Sequence, residues 1–252
     1  MIRKAFAIAV LLACAAGQAR AAAPFQIDGN VGLSALVALS DGRLQTLSQT
    51  LETLATNPEV AAGDWNATRA ALRQAEALGL PGLLLFAKPD GSYWTVAGGK
   101  QSGNVAHRPY FQKAMSGQTS IGDLVVSQST GKPQTVVAVP VKNANGTVVG
   151  VLAGTVFLDE FSVQLKRELG IGSNLVFWAI DGSGKIAVHS DPSNVFVEPG
   201  TMSPALAKVR DEMLSHEEGT LTYEYRGAQR SVVYRRSLIS GWRYGFGIVR
   251  GK

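Results

Sequence analysis

The sequence holds a single cysteine, Cys14, only three histidines and one long apolar run, and each shortage closes off a class of protein. With no cysteine past the N-terminal segment, neither a disulfide framework nor a thiolate metal site is expected. His107, His189 and His216 stand far apart, in none of the spacings with which a metal is held. No run of like charge extends beyond Arg235-Arg236 and no basic face is interleaved with aromatics, so nucleic acid is not an expected partner. Past the N-terminus no apolar stretch reaches the roughly 20 residues of a membrane-spanning helix. His189-Ser190-Asp191 sets triad residue types side by side, where they cannot align on one another, and reads as a turn after a strand. Neither catalysis nor a cofactor is expected.

The N-terminus is what directs the chain. Arg3 and Lys4 precede the apolar run 5–16, and Ala19-Arg20-Ala21 with Ala22 and Ala23 offers small residues for cleavage. Residues 1–23 are therefore expected to be a signal peptide and the mature chain periplasmic. Leu11-Leu12-Ala13-Cys14 is also similar to a lipoprotein processing box, which leaves a membrane-anchored lipoprotein through Cys14 as the alternative. The formal charge of +5 is largely due to this segment: without Arg3, Lys4 and Arg20, 21 basic residues face 19 acidic ones, a net of +2. The remaining chain of about 230 residues suffices for one large core or two small ones.

Leu33, Val37, Leu44, Leu47, Leu51 and Leu54 recur at helical spacing and predict one long helix with a single apolar stripe. Asp41-Gly42 weakens its middle, so a kink or two shorter helices fit as well. Asn57-Pro58 ends the pattern, and a second helix is predicted over 64–78, stopped by Leu80-Pro81-Gly82. Short strands follow at 83–87 and 93–96 around Pro89-Asp90-Gly91-Ser92. Pro109 and Gly117 bracket a short helix over 110–116. Two β-rich runs, 134–141 and 147–158, are joined by Asn143-Ala144-Asn145-Gly146, a hairpin signal, and Pro140 asks for an edge or a bulge. After a helix over 161–169 the order repeats: strands at 175–180 and 185–189, a helix over 204–214, and strands at 220–225, 230–235 and 242–249. Asp181-Gly182-Ser183 lies 91 residues after Asp90-Gly91-Ser92. The class predicted is α+β: a long N-terminal helix, then two subdomains, each an antiparallel sheet with flanking helices.

Several segments carry a family resemblance. In the first half they are Arg108-Pro109-Tyr110-Phe111-Gln112-Lys113-Ala114, Ser127-Gln128-Ser129-Thr130-Gly131-Lys132-Pro133, Ala138-Val139-Pro140-Val141 and Gly150-Val151-Leu152-Ala153-Gly154. In the second half they are Ala179-Ile180-Asp181-Gly182-Ser183-Gly184, His189-Ser190-Asp191-Pro192 and Gly241-Trp242. In this order, over 33–250, they resemble the double Cache (dCache) family of extracytoplasmic sensor domains, two PAS-like subdomains along one helix. The resemblance implies signal transduction without catalysis, in chemoreceptors, histidine kinases and cyclic-dinucleotide enzymes. It also implies a ligand in the first, membrane-distal subdomain. We place that subdomain with the long helix at 24–160 and the membrane-proximal one at 161–252. The sequence ends at Lys252 directly after the last strand, so the expectation is that the signal passes to a membrane signalling partner.

The amino-acid-binding version of the family resembles Tyr-x4-Arg-x-Trp-Tyr, with a later aspartate. Here Arg108 matches, but Gly103, Tyr110-Phe111 and Thr155 stand at the other positions. With the carboxylate-binding arginine kept and the ammonium-binding aspartate gone, the reading is an organic acid rather than an amino acid. Arg108 would pair bidentately with it, and Tyr110, Tyr93 and Trp94 would wall the pocket. Alternation sends Tyr93 and Trp94 to opposite faces, so at most one of them can do so, and core packing competes for each. Asp123 would orient Arg108 or accept from the ligand; a solvated loop carboxylate is the competing reading. The rival function is a ligand-free module docking on the periplasmic domain of a membrane kinase, cyclase or chemoreceptor, with homodimerisation through the N-terminal helix.

Overall fold

A computed structural model of the chain describes residues 28–76, 79 and 82–251. The expected signal peptide, Cys14 and the predicted helix stop at Leu78 and Leu80-Pro81 lie outside the described residues.

The backbone of the fold is α1 (Gly29–Ala55), capped by the Asp28 side chain, which accepts from the Asn30 N–H at 2.9 Å. It runs unbroken through Asp41-Gly42. The reason is tertiary. Asp41 is buried, and its carboxylate accepts from Ser237 Oγ at 2.6 Å, Ser240 Oγ at 2.9 Å and Tyr244 Oη at 3.0 Å. Three such bonds outweigh the propensity deficit of one aspartate and one glycine. Two short helices follow, α2 (Pro58–Ala61) and α3 (Trp65–Ala75), each with an Asn or Asp side chain capping its first turn.

The first sheet contains β1 (Leu84–Ala87), β2 (Ser92–Thr95), β3 (Gly99–Asn104), β4 (Ser120–Val126), β5 (Pro133–Lys142) and β6 (Val148–Phe157). It is antiparallel in the order β3-β2-β1-β6-β5-β4, with α4 (Pro109–Met115) between β3 and β4 in sequence. Asn143 makes the predicted β5–β6 hairpin, its side chain accepting from the N–H groups of Asn145 and Thr147, with Gly146 at φ 78°. Pro140 lies past Ala138, where the β4 ladder stops, and a bulge follows at Val141/Lys142. The strand β3 was not predicted, because Gly99–Asn104 contains no apolar residue to show a period.

The chain then passes through α5 (Leu158–Leu169) into the second sheet: β7 (Leu175–Ile180), β8 (Ile186–His189), β9 (Glu218–Tyr225), β10 (Ala228–Arg236) and β11 (Arg243–Arg250). Its order is β8-β7-β11-β10-β9, and α6 (Pro199–Met202) and α7 (Pro204–Ser215) connect β8 to β9. The two Asp-Gly-Ser turns share a device: Asp90 accepts from Ser92 N and Oγ, and Asp181 from Ser183 N and Oγ. The two hydrogen-bonded turns, 88–92 and 181–185, are equally long, but Asp90 is third in the first and Asp181 first in the second, so the positive φ falls on Gly91 within the motif and on Gly184 just past it.

One face of each sheet rests on α1. Leu36, Leu44, Leu47 and Leu51 join Val137, Val139 and Leu152 of the first sheet and Phe177, Tyr244 and Phe246 of the second in one core. The predicted stripe is thus filled by the chain's own sheets, which removes the argument for a dimer seam along it. Trp242 ties the lobes further, donating from Nε1 to the Gly122 carbonyl at 2.8 Å. The opposite faces form two separate cores, under α4 in the first lobe and under α7 in the second.

The fit of α1 predicts opposite signs for two glycine substitutions. In a helix, Gly→Ala gains about 0.5–1 kcal/mol when nothing obstructs the methyl. At exposed Gly42 nothing lies within 4 Å of the added Cβ, so Gly42→Ala should stabilise by that amount. At Gly32 the Cβ would stand 2.2 Å from the Phe246 ring, so Gly32→Ala should destabilise by about 1–3 kcal/mol. Urea unfolding of the pair checks both; equal signs would show that α1 does not pack against β11 as described.

Candidate functional site

Strand alternation decides which side chains reach the α4 face of the first sheet. Leu85 of β1, Tyr93 and Thr95 of β2, Gln134 of β5 and Thr155 of β6 point there, toward Arg108, Tyr110 and the turn at 127–129. Together they enclose about 20 Å³, room for about one water.

Arg108 stands at the start of α4 because Pro109 disfavours helical backbone in the residue before it, and Arg108 is extended, at φ −78° and ψ 134°. Its Nη2 donates to the Val126 carbonyl at 3.1 Å, and it forms no ion pair with a carboxylate among the described residues. Burial pushes the Tyr110 hydroxyl up to about 12, and burial likewise raises Tyr93. Both hydroxyls therefore keep their protons at neutral pH and stay able to donate. Gln134 is 6% exposed, and its Oε1 has no hydrogen-bond partner. Thr155 Oγ1 accepts from the Leu83 N–H at 2.9 Å. No carboxylate lines the cavity among the described residues.

Of the five predicted site residues, the structure brings Arg108, Tyr110 and Tyr93 together. Trp94 is on the other face of β2, its ring 6.3 Å from that of Trp65 of α3 and tilted 33° to it, with Lys88 and Lys100 ammonium groups 5.0 and 5.8 Å from its centroid. Asp123 sits at a bulge in β4, outside the cavity lining, and accepts from Ser120 Oγ at 2.6 Å rather than from Arg108. Gln134 escaped the sequence reading. Its one signal was an amide between Pro133 and a run of β-branched residues, on a face that only the register could assign.

No metal-holding group of three or more His, Cys, Asp or Glu side chains occurs among the described residues. No helix among them is long and apolar enough to cross a membrane.

Two antiparallel sheets on one long helix, each with its own cavity-forming face, define a two-lobed sensor-type domain. The chain belongs to the Cache domain family, whose double Cache model matches residues 33–250. Domains of this family are extracytoplasmic, non-enzymatic sensor domains. Three solved structures illustrate the likeness. The ligand-binding domain of the Pseudomonas aeruginosa PAO1 amino acid chemoreceptor PctB, in complex with L-Arg, is 21% identical, with a TM-score of 0.67 over 88% of this chain and 92% of that one. The domain of the Pseudomonas fluorescens chemoreceptor CtaA with L-alanine is 19% identical, with a TM-score of 0.65 over 89% and 95%. That of P. aeruginosa PctC with GABA is 17% identical, with a TM-score of 0.65 over 88% and 95%. At these identities the likeness establishes the fold. No curated protein matches the sequence significantly.

Proposed function

We propose that this protein is a periplasmic sensor whose first, membrane-distal lobe (24–160) binds a small organic acid at Arg108 and passes the result to a membrane signalling partner. One observation carries the reading. Arg108, without a carboxylate of its own, shares a cavity with two protonated tyrosines and an unpartnered buried amide, and nothing anionic lines it. A carboxylate would take the guanidinium fork while the Tyr93 and Tyr110 hydroxyls and the Gln134 amide, turned to present its N–H groups, supply the remaining donors. The amino-acid chemoreceptors bind ligands that also carry an ammonium group. Thr155, where the ammonium-binding aspartate is expected, already accepts from Leu83 and offers no charge. This favours an acid without an amino group. A cavity of about 20 Å³ is smaller than such a molecule, so binding requires its walls to move apart.

The test is a thermal-shift and calorimetric screen of the full chain against small organic acids and the corresponding amino acids. A ligand at about 100 times its Kd should add about 2.7 kcal/mol of stability. Arg108→Ala should lower affinity for the hit by about 10- to 100-fold, as loss of a charge-assisted pair of about 1.5–3 kcal/mol implies. Unchanged affinity in Arg108→Ala overturns the assignment. The small volume favours a second reading, in which the lobe is filled by its own side chains and the domain only docks on a membrane partner. An empty screen together with capture of one membrane receptor would select it.

A further inference from the structure

A much larger cavity, about 540 Å³, lies in the second lobe on the face of the sheet that α7 covers. That volume falls within the range of small-molecule sites. Its floor is apolar: Trp178 from β7 and Val209 and Met213 from α7 line it, and the Tyr223 ring meets Trp178 edge-on at 6.0 Å and 86°.

The rim is cationic. The guanidinium carbons of Arg226 and Arg230 lie 5.1 and 4.9 Å from the centroid of the same Tyr225 ring. Arg230 donates to the Tyr225 carbonyl at 2.7 Å, and neither arginine is ion-paired with a carboxylate among the described residues. Arg210 also lines the cavity, but Glu198 and Asp211 hold it. Asp191 is the carboxylate of the lining. It accepts from Ser193 N and Oγ at 3.2 and 2.8 Å, and Arg226 contributes to lowering its pKa. Two guanidiniums against one carboxylate leave one positive charge at the rim.

Two further features fit a binding site. Arg226 occupies the first position of a two-residue turn at φ 53°, a left-handed conformation in which Asn, Asp or Gly is the usual choice. Strained residues of this kind gather at ligand clamps. His189, in the lining, places Nδ1 2.8 Å from the Asp191 N and 3.1 Å from the Asp191 carbonyl oxygen. Burial holds its pKa down to about 4, which leaves an uncharged ring at neutral pH.

We propose that the second lobe is a ligand site of its own, for a monocarboxylate with an apolar body, its head group on Arg226 and Arg230 and its body against Trp178, Val209 and Met213. A cation would meet net positive charge at the rim, and a fully apolar guest would leave two guanidiniums beside one Tyr225 ring without an anionic partner. A single negative charge answers both. The site does not depend on the reading of Arg108.

The test is calorimetric titration of the full chain with decanoate and 2-naphthoate, one aliphatic and one aromatic carboxylate, against decylamine. At least one carboxylate should bind saturably, about tenfold or more tighter than decylamine. Arg226→Gln, on an exposed turn, should lower its affinity about tenfold, which corresponds to about 1.4 kcal/mol. Val209→Phe, which fills the floor, should reduce binding of whichever carboxylate binds, while Arg108→Ala should leave it unchanged. Saturable binding of neither carboxylate, or equal affinity for decylamine, overturns the proposal. So does an Arg226→Gln variant with full affinity. Loss of decanoate and 2-naphthoate binding in Arg108→Ala alone would place them in the first lobe and overturn it as well.

Discussion

Asp41→Ala should destabilise the protein by about 3–4 kcal/mol, more than most single substitutions. The carboxylate is 5% exposed and sits mid-helix, accepting from three hydroxyls of the C-terminal segment. Hydrogen bonds to a charged group contribute about 1.5–3 kcal/mol each, and they are not additive. Removing the acceptor leaves the Ser237 and Ser240 hydroxyls without their buried acceptor, whereas Tyr244 retains Ser40 Oγ at 2.8 Å. Asp41→Asn should lose nearly as much, since an amide replaces one accepting oxygen with a donor that meets other donors. Chemical unfolding of Asp41→Ala, Ser240→Ala and the double variant measures the coupling. A loss below about 1 kcal/mol for Asp41→Ala, or additivity in the cycle, would show that the joint between α1 and the last two strands is not built on this group.

Acidification from pH 6.5 to 4 should remove up to about 3 kcal/mol through His189 alone. Burial is the main cause of its depressed value, about 4 against an ordinary 6.5. The folded state therefore favours the neutral ring and the unfolded chain takes up the proton first. Above 6.5 both states are neutral and the contribution is complete. As pH falls, the unfolded state gains a proton that the folded state refuses, and stability declines until the folded ring titrates near 4. The Tm of the wild type should fall across this window, and His189→Gln should flatten the fall. Parallel curves for the two proteins would assign the acid sensitivity to other groups.

Much of the chain could be read without coordinates where the signal is local. The stop at Asn57-Pro58, the Asn143–Gly146 hairpin and the paired Asp-Gly-Ser turns depend on side chains bonding to backbone within a few residues. The α+β class and the two-lobed order follow from such signals taken in sequence. In the candidate site, Arg108 and Tyr110 were legible because Pro109 sets their backbone, and Tyr93 followed from its strand. Trp94 and Asp123 were not: one is turned away by register, the other displaced by a bulge, and a single-residue step sends a side chain to the opposite face.

The sequence by itself determined the hairpin turns and the stop at Asn57-Pro58, which residues are apolar at which period, and that one arginine precedes a proline-started helix. Only the tertiary structure decided how much room each lobe encloses. A cavity is a mismatch between elements far apart in sequence, here β7, α7 and the β9–β10 turn, and no local pattern records how closely they approach. For the same reason Gln134, Arg226 and Arg230 could not be assigned to a cavity from their neighbours in sequence. Their surroundings are supplied by strands that meet them only once the chain has folded.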